Sequence, residues 1–151
     1  ESQGFQTVLE QAGSDYVVIG NCDSISSAQP HPATETHGAA KKIMVMCASG
    51  RLGSGDDALG LKLMVNFLRT LKEMGDELWR LVFVNNGVKL IIEGSDLLED
   101  LKAYESAGLK ILVRGTCLDH FNLLQKKRVD ETTNMLDIVT AMQLADKVIN
   151  I

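Results

Sequence analysis

The chain has 151 residues, a net charge of −5, and 45% hydrophobic and 23% charged residues, values that fit a globular domain with an appendage and suggest neither a disordered nor a membrane class. Net negative charge argues against a nucleic-acid surface, the basic residues clustering only at Lys126-Lys127-Arg128. No apolar run approaches the ~18 residues that a membrane helix needs. Three cysteines, Cys22, Cys47 and Cys117, form neither an even set for a disulfide framework nor a metal-ligand spacing, so a reducing cytoplasm is expected, with no metal and no cofactor. His31 and His37 lie in a Pro-containing stretch without cysteine neighbours and read as solvated loop histidines. Glu1-Ser-Gln-Gly4 is neither a signal nor a transit sequence, and the missing initiator Met suggests a start inside a longer protein.

Phe5 to Glu10 and Tyr16 to Ile19 read as two short strands around the turn-forming Ala12-Gly-Ser-Asp15, a hairpin that needs a packing partner because isolated hairpins are marginal in water. Residues 21–40, rich in Ser, Ala, Thr, Pro and His, form a linker in which Pro30 and Pro32 block regular structure. From Lys41 onward strands alternate with helices, the pattern of a mostly parallel sheet covered on both faces. Ile43 to Cys47 is its first strand. A glycine loop with Gly50, Gly53 and Gly55 follows, then a helix capped by Asp56 or Asp57 and running to about Met74. Its apolar residues Leu59, Leu63, Met64, Phe67, Leu68, Leu71 and Met74 recur every three or four positions and are expected in the core.

Trp79 to Val84 is the second strand and ends at Asn85-Asn86-Gly87. Val88 to Ile92 is too short for periodicity to separate helix from strand. Ser95 or Asp96 caps a helix to about Ala107, with Leu97, Leu98, Leu101 and Tyr104 inward and Gly108 as its stop. Leu109 to Val113 is the third strand, and Leu123 to Val129 a short strand or loop. A helix over Asn134 to Leu144, capped by Thr132 or Thr133, is expected to bury Met135, Ile138, Val139 and Met142, and Lys147 to Ile151 closes the sheet.

The carboxyl ends of parallel strands share one edge, where ligand crevices form. Three loops should meet there: Gly50 to Asp57, Asn85 to Gly87, and Gly115 to Asp119. Each also has an ordinary structural reading, with glycines for turns, aspartates for caps and asparagines for left-handed backbone. Their convergence on the thiol of Cys117 favours function. That thiol falls where a strand gives way to a helix expected from Leu118 to Leu123, whose free N–H groups favour thiolate over thiol. Such a field is worth roughly 0.3–1 kcal/mol, so a further donor or cation is required, with Arg114 and His120 nearest in sequence. The plain alternative is a small residue filling a corner. The candidate site is thus Cys117 as the reacting group, with Arg114, Gly115, Thr116, Asn85, Asn86, Gly87, Gly53, Gly55, Asp56 and Asp57 around it. Gly53-Ser-Gly-Asp-Asp57 is neither a P-loop nor a dinucleotide fingerprint, and its carboxylates would repel phosphate. His120 and Asp119 are too near Cys117 in the chain to make a persuasive protease-like triad. Sulfur exchange, in which a thiolate takes the outer sulfur of a persulfide, suits a single presented cysteine better.

Gly53-Ser-Gly-Asp-Asp-Ala-Leu-Gly60 with Leu63-Met64 and Phe67, Asn86-Gly-Val-Lys-Leu90, Glu93-Gly-Ser95, Gly115-Thr-Cys-Leu118 and Thr133-Asn-Met135 resemble the DsrE-like domain of YedF-type proteins, sulfurtransferase-like proteins linked to selenium metabolism. The resemblance covers about residues 41–151 and implies a three-layer α/β/α fold with about five mostly parallel strands. Residues 1–20 resemble the last half of a TusA/SirA-like domain, without its Cys-Pro-x-Pro motif. The family's sulfur-carrying cysteine falls on Cys117. Where many relatives read Cys-Gly-Thr-Cys, this chain has Arg114 first, which removes dithiol cycling and leaves a one-cysteine persulfide carrier. The resemblance further implies sulfur or selenium donor and acceptor proteins as partners and a homo-oligomer, a trimer or a multiple of one. A non-catalytic interaction subunit and a small-ligand-binding protein are the alternatives.

Overall fold

The computed structural model describes residues 40–129 and 131–151 in full, and residues 5–12 and 15–22 as backbone. The chain divides into two units, Glu1–Gly38 and Ala39–Ile151. In the first, β1 (Phe5–Ala12) pairs antiparallel with β2 (Asp15–Cys22), Phe5 opposite Cys22 and Ala12 opposite Asp15. Both strands run longer than their apolar cores suggest. The expected linker over 21–40, with His31 and His37, lies outside the described residues apart from its ends.

The second unit is built on β3 (Ile43–Cys47), β4 (Leu78–Phe83), β5 (Lys110–Arg114), β6 (Glu131–Thr133) and β7 (Lys147–Asn150). They form one parallel sheet in the order β6-β5-β4-β3-β7. Strands covered on both faces read as nearly unbroken apolar runs, which is why Ile-Met-Val-Met-Cys and Ile-Leu-Val form its centre. Val45, Cys47, Leu81, Phe83, Ile111 and Val113 face one side, against Met64 and Leu68 of α1 (Asp57–Thr70), Leu101 of α2 (Leu98–Ser106) and Leu118 of α3 (Gly115–His120). Met44, Val82 and Leu112 face the other, against Ile138 and Ala141 of α4 (Met135–Leu144). Three layers result, and each fully buried aliphatic side chain contributes roughly 1.5–3 kcal/mol.

Local chemistry sets the helix starts. The Asp56 carboxylate accepts the Leu59 N–H at 2.7 Å, so Asp56 and not Asp57 caps α1. The α-helix stops at Thr70, and Leu71–Glu77 continues as a 3₁₀ segment broken at Gly75 (φ 54°). Only the row Gly60, Met64 and Leu68 is buried on α1. Leu59 and Leu63, expected in the core, are 56% and 43% exposed because the sheet contacts one i, i+4, i+8 row of a wider apolar stripe. α2 begins at Leu98 with no side-chain cap of its own; the Ser95 hydroxyl accepts the Leu97 N–H at 3.3 Å and donates to the Leu90 carbonyl at 2.6 Å.

The open stretch after β4 is a 3₁₀ segment, Asn85–Leu90, followed by a single antiparallel bridge from Ile92 to Lys127. Arg128 of the basic cluster pairs with Glu93 at 2.7 Å. β6 is the strand that periodicity does not announce, since Glu-Thr-Thr carries no apolar run. Thr132 and Thr133 belong to it, and α4 is capped instead by Asn134, whose side chain accepts the Asp137 N–H at 3.0 Å in a reciprocal capping box. That start sets the phase of α4. Ile138 and Ala141 turn inward, whereas Met135, Val139 and Met142, expected inward, lie exposed with Leu136 and Leu144.

Candidate functional site

Because the strands are parallel, the segments after β3, β4 and β5 leave the sheet at the same edge. Cys117 is the third residue of α3, directly beyond β5, and its side chain is partly exposed while packing against the first core cluster. Its Sγ accepts the backbone N–H of Asn85 at 3.1 Å. The expected helix over Leu118 to Leu123 starts earlier, at Gly115, and the donor to the sulfur comes from the segment after β4. Asn85 reaches this position at φ 46°, a left-handed conformation that asparagine tolerates better than most residues.

Two residues on, Gly87 is buried where a Cβ would lie 2.1 Å from the Cys47 carbonyl oxygen, so only glycine fits. One short segment therefore presents a donor to Cys117 and closes over Cys47. Cys47 is fully buried, and burial pushes its thiol up to about 12.

The other predicted residues divide by role. Arg114 donates from Nη1 to the Thr133 carbonyl at 3.3 Å, tying β5 to β6. His120 meets Phe121 edge-on, ring centroids 4.9 Å apart. Neither contact is with the sulfur. Gly115 gives β6 room, since a Cβ there would meet the Thr132 methyl at 2.8 Å, and Thr116 is exposed next to Cys117. Gly53 (φ 78°) and Gly55 (φ 138°) shape an exposed turn. Asp56 is engaged as a cap and Asp57 in an ion pair with Arg51.

An open cleft of about 340 Å³ lies on this edge, lined by Ser49, Gly50, Arg51, Asp57, Leu61, Asn86 and Lys89. Asp57 and Asn86 were among the predicted residues; Arg51 and Lys89 were not. Lys89 Nζ sits 4.3 Å from the Phe121 ring centroid, and the Phe121 N–H donates to the Cys117 carbonyl at 3.2 Å, so the ammonium stacks on the residue one helical turn beyond the thiol. The three-residue spacing of Asn86 and Lys89 on a 3₁₀ turn, which aligns both side chains, is the signal that would have revealed the second cation. A cavity of about 400 Å³ with Trp79 and Tyr104 in its lining lies at the opposite end of β4. Among the described residues no group of His, Cys, Asp and Glu side chains is arranged to hold a metal, and no helix is long and apolar enough to cross a membrane.

No family model matches the chain, and no curated protein matches it. Among solved structures the chain is similar to the crystal structure of the ychN protein from E. coli, with a TM-score of 0.57 and 18% sequence identity, over 74% of this chain and 99% of that one. The likeness supports the DsrE-like three-layer fold that the motifs implied.

Proposed function

We propose that this protein handles sulfur or selenium as a one-cysteine carrier, with Cys117 accepting a chalcogen atom as a persulfide or its selenium counterpart and passing it to an acceptor. The observation that carries this reading is the partly exposed Cys117 at the carboxyl edge of the sheet, its Sγ receiving the Asn85 N–H at 3.1 Å. A donor aimed at sulfur helps hold a nucleophilic or persulfidic anion in one position. With Arg114 where a second cysteine would complete a dithiol, the chemistry is transfer and not disulfide cycling. The DsrE-like fold is compatible with sulfur relay, while the YedF-type and TusA/SirA-like assignments and the link to selenium rest on the sequence resemblance. A reducing cytoplasm is the setting in which this thiol stays available. The test is intact-mass analysis after exposure to a sulfur donor. Wild type should gain sulfur that reductant removes, and Cys117→Ser should gain none; failure of several donors to load Cys117 would overturn the proposal.

A second reading, an interaction subunit that assembles through its helices, is favoured by α4. Met135 and Leu136 on that helix are 51% and 72% exposed, and Val139, Met142 and Leu144 extend the apolar surface. Native mass spectrometry of wild type and Leu136→Glu checks it: a homo-oligomer lost in the variant supports assembly, and a wild-type monomer contradicts it.

A further inference from the structure

We propose that the cleft on the strand edge that carries Cys117 holds the carboxylate of a small thiol persulfide, making the immediate sulfur donor a low-molecular-weight organic anion. This inference rests on the carrier role of Cys117 and names its substrate class. The chain carries a net charge of −5, yet the cleft brings together the cations Arg51 and Lys89 with the single carboxylate Asp57, a local reversal of sign that attracts an anion. Arg51 is already paired with Asp57. Lys89 has no carboxylate partner among the described ion pairs, and its ammonium is steadied over Phe121. The cleft, at about 340 Å³, is within the small-molecule range of roughly 300–1,000 Å³. Ser49 and Asn86 add hydrogen-bonding groups, and Leu61 adds an apolar wall for a methylene.

The cleft is also built before any ligand arrives. The Leu52 N–H donates to the Gly60 carbonyl at 3.0 Å, and the Arg51 N–H to the Ser49 hydroxyl at 3.2 Å. Gly60 lets this loop lie against α1, since a Cβ there would stand 3.1 Å from the Arg51 Cβ. Asn85 and Asn86 link cleft and thiol, one donating to Sγ and the next lining the cleft.

In the transfer, the Cys117 thiolate attacks the outer sulfur of R–S–SH. The new bond joins Sγ to that sulfur, the S–S bond of the donor breaks, and R–S⁻ leaves and takes up the proton that Cys117 released. Overall Cys–SH and R–S–SH become Cys–S–SH and R–SH, with no external oxidant or reductant.

The test compares two donors on the full chain: cysteine persulfide, and the persulfide of cysteine ethyl ester, which keeps the reacting sulfur and lacks the carboxylate. Cys117 loading is followed by mass spectrometry. Wild type should load about tenfold faster from the carboxylate donor, the scale of one charge-assisted contact. Lys89→Gln should erase that preference by slowing loading from the carboxylate donor, and Arg51→Gln should reduce it. Equal wild-type rates from both donors would overturn the inference and leave the carrier role standing, as would a Lys89→Gln variant that keeps the preference or loses both rates alike. No loading from either donor would remove the carrier role and this inference together.

Discussion

Cys47 is a buried member of the first core cluster and Cys117 packs against that cluster from beyond a strand of the same sheet, yet their surroundings differ. Cys47 ends β3 beneath Gly87, fully buried, with its thiol pushed up to about 12 by burial. Cys117 sits three residues past β5, where the chain has already turned into α3, and it is partly exposed with the Asn85 N–H directed at its sulfur. A cysteine that completes a buried strand is packing material. One placed beyond a strand end, on the proposed reading, is the one that reacts.

The largest test of this contrast is reactivity. At pH 7 a thiol shifted to about 12 is ionised in roughly one molecule in 10⁵, so in a Cys22→Ser background iodoacetamide should label Cys117 in the native protein and reach Cys47 only on unfolding. Comparable native labelling of the two would break the comparison. Next in size is Gly87→Ala. Its Cβ would collide with the Cys47 carbonyl at 2.1 Å, and overpacking of this kind costs about 1–3 kcal/mol or more. Urea unfolding should show that loss, and native labelling should show Cys47 becoming accessible.

The pH dependence has a definite sign. Below pH 9.0, the ordinary value, both folded and unfolded Cys47 are protonated and the group has no effect on stability. Above it the unfolded thiol ionises while the folded one stays protonated until about 12, so stability falls with rising pH across that window. Between about pH 8 and pH 10 wild type should lose about 1.4 kcal/mol more than Cys47→Ala; parallel losses would contradict the assigned burial effect. The smallest effect concerns Asn85. Replacing it with alanine at φ 46° should cost about 1 kcal/mol and loosen the donor to Cys117, changing that cysteine's alkylation rate while Cys47 stays protected. Asn85→Gly should recover the wild-type rate, because glycine adopts the same backbone conformation freely.

Much of this architecture is legible in sequence because buried parallel strands have no polar face to interrupt them. Ile43 to Cys47 and Ile111 to Val113 stand out for that reason, and Gly115 after the second places Cys117 beyond a strand end. β6 is hidden because Glu131-Thr-Thr133 is a short edge strand without an apolar run. The phase of α4 is ambiguous because Met135, Leu136, Val139, Met142 and Leu144 give it apolar residues around most of its circumference, and the Asn134 cap decides which row faces the sheet. The Asn85 donor is invisible to local reading, since it approaches Cys117 across 32 positions of chain and through a backbone group that any residue but proline supplies. Lys89 is only partly hidden: its three-residue spacing from Asn86 is local, but its stacking on Phe121 is a long-range contact.

The central claim is that one of two core-facing cysteines carries sulfur, and site-resolved mass spectrometry of the donor-treated native protein tests it directly. Peptides spanning each cysteine would be quantified for added sulfur before and after an acceptor thiol is supplied. The account predicts sulfur on the Cys117 peptide that moves to the acceptor, with the Cys47 peptide unmodified throughout. An unmodified Cys117 peptide, or sulfur on it that no acceptor removes, would contradict it.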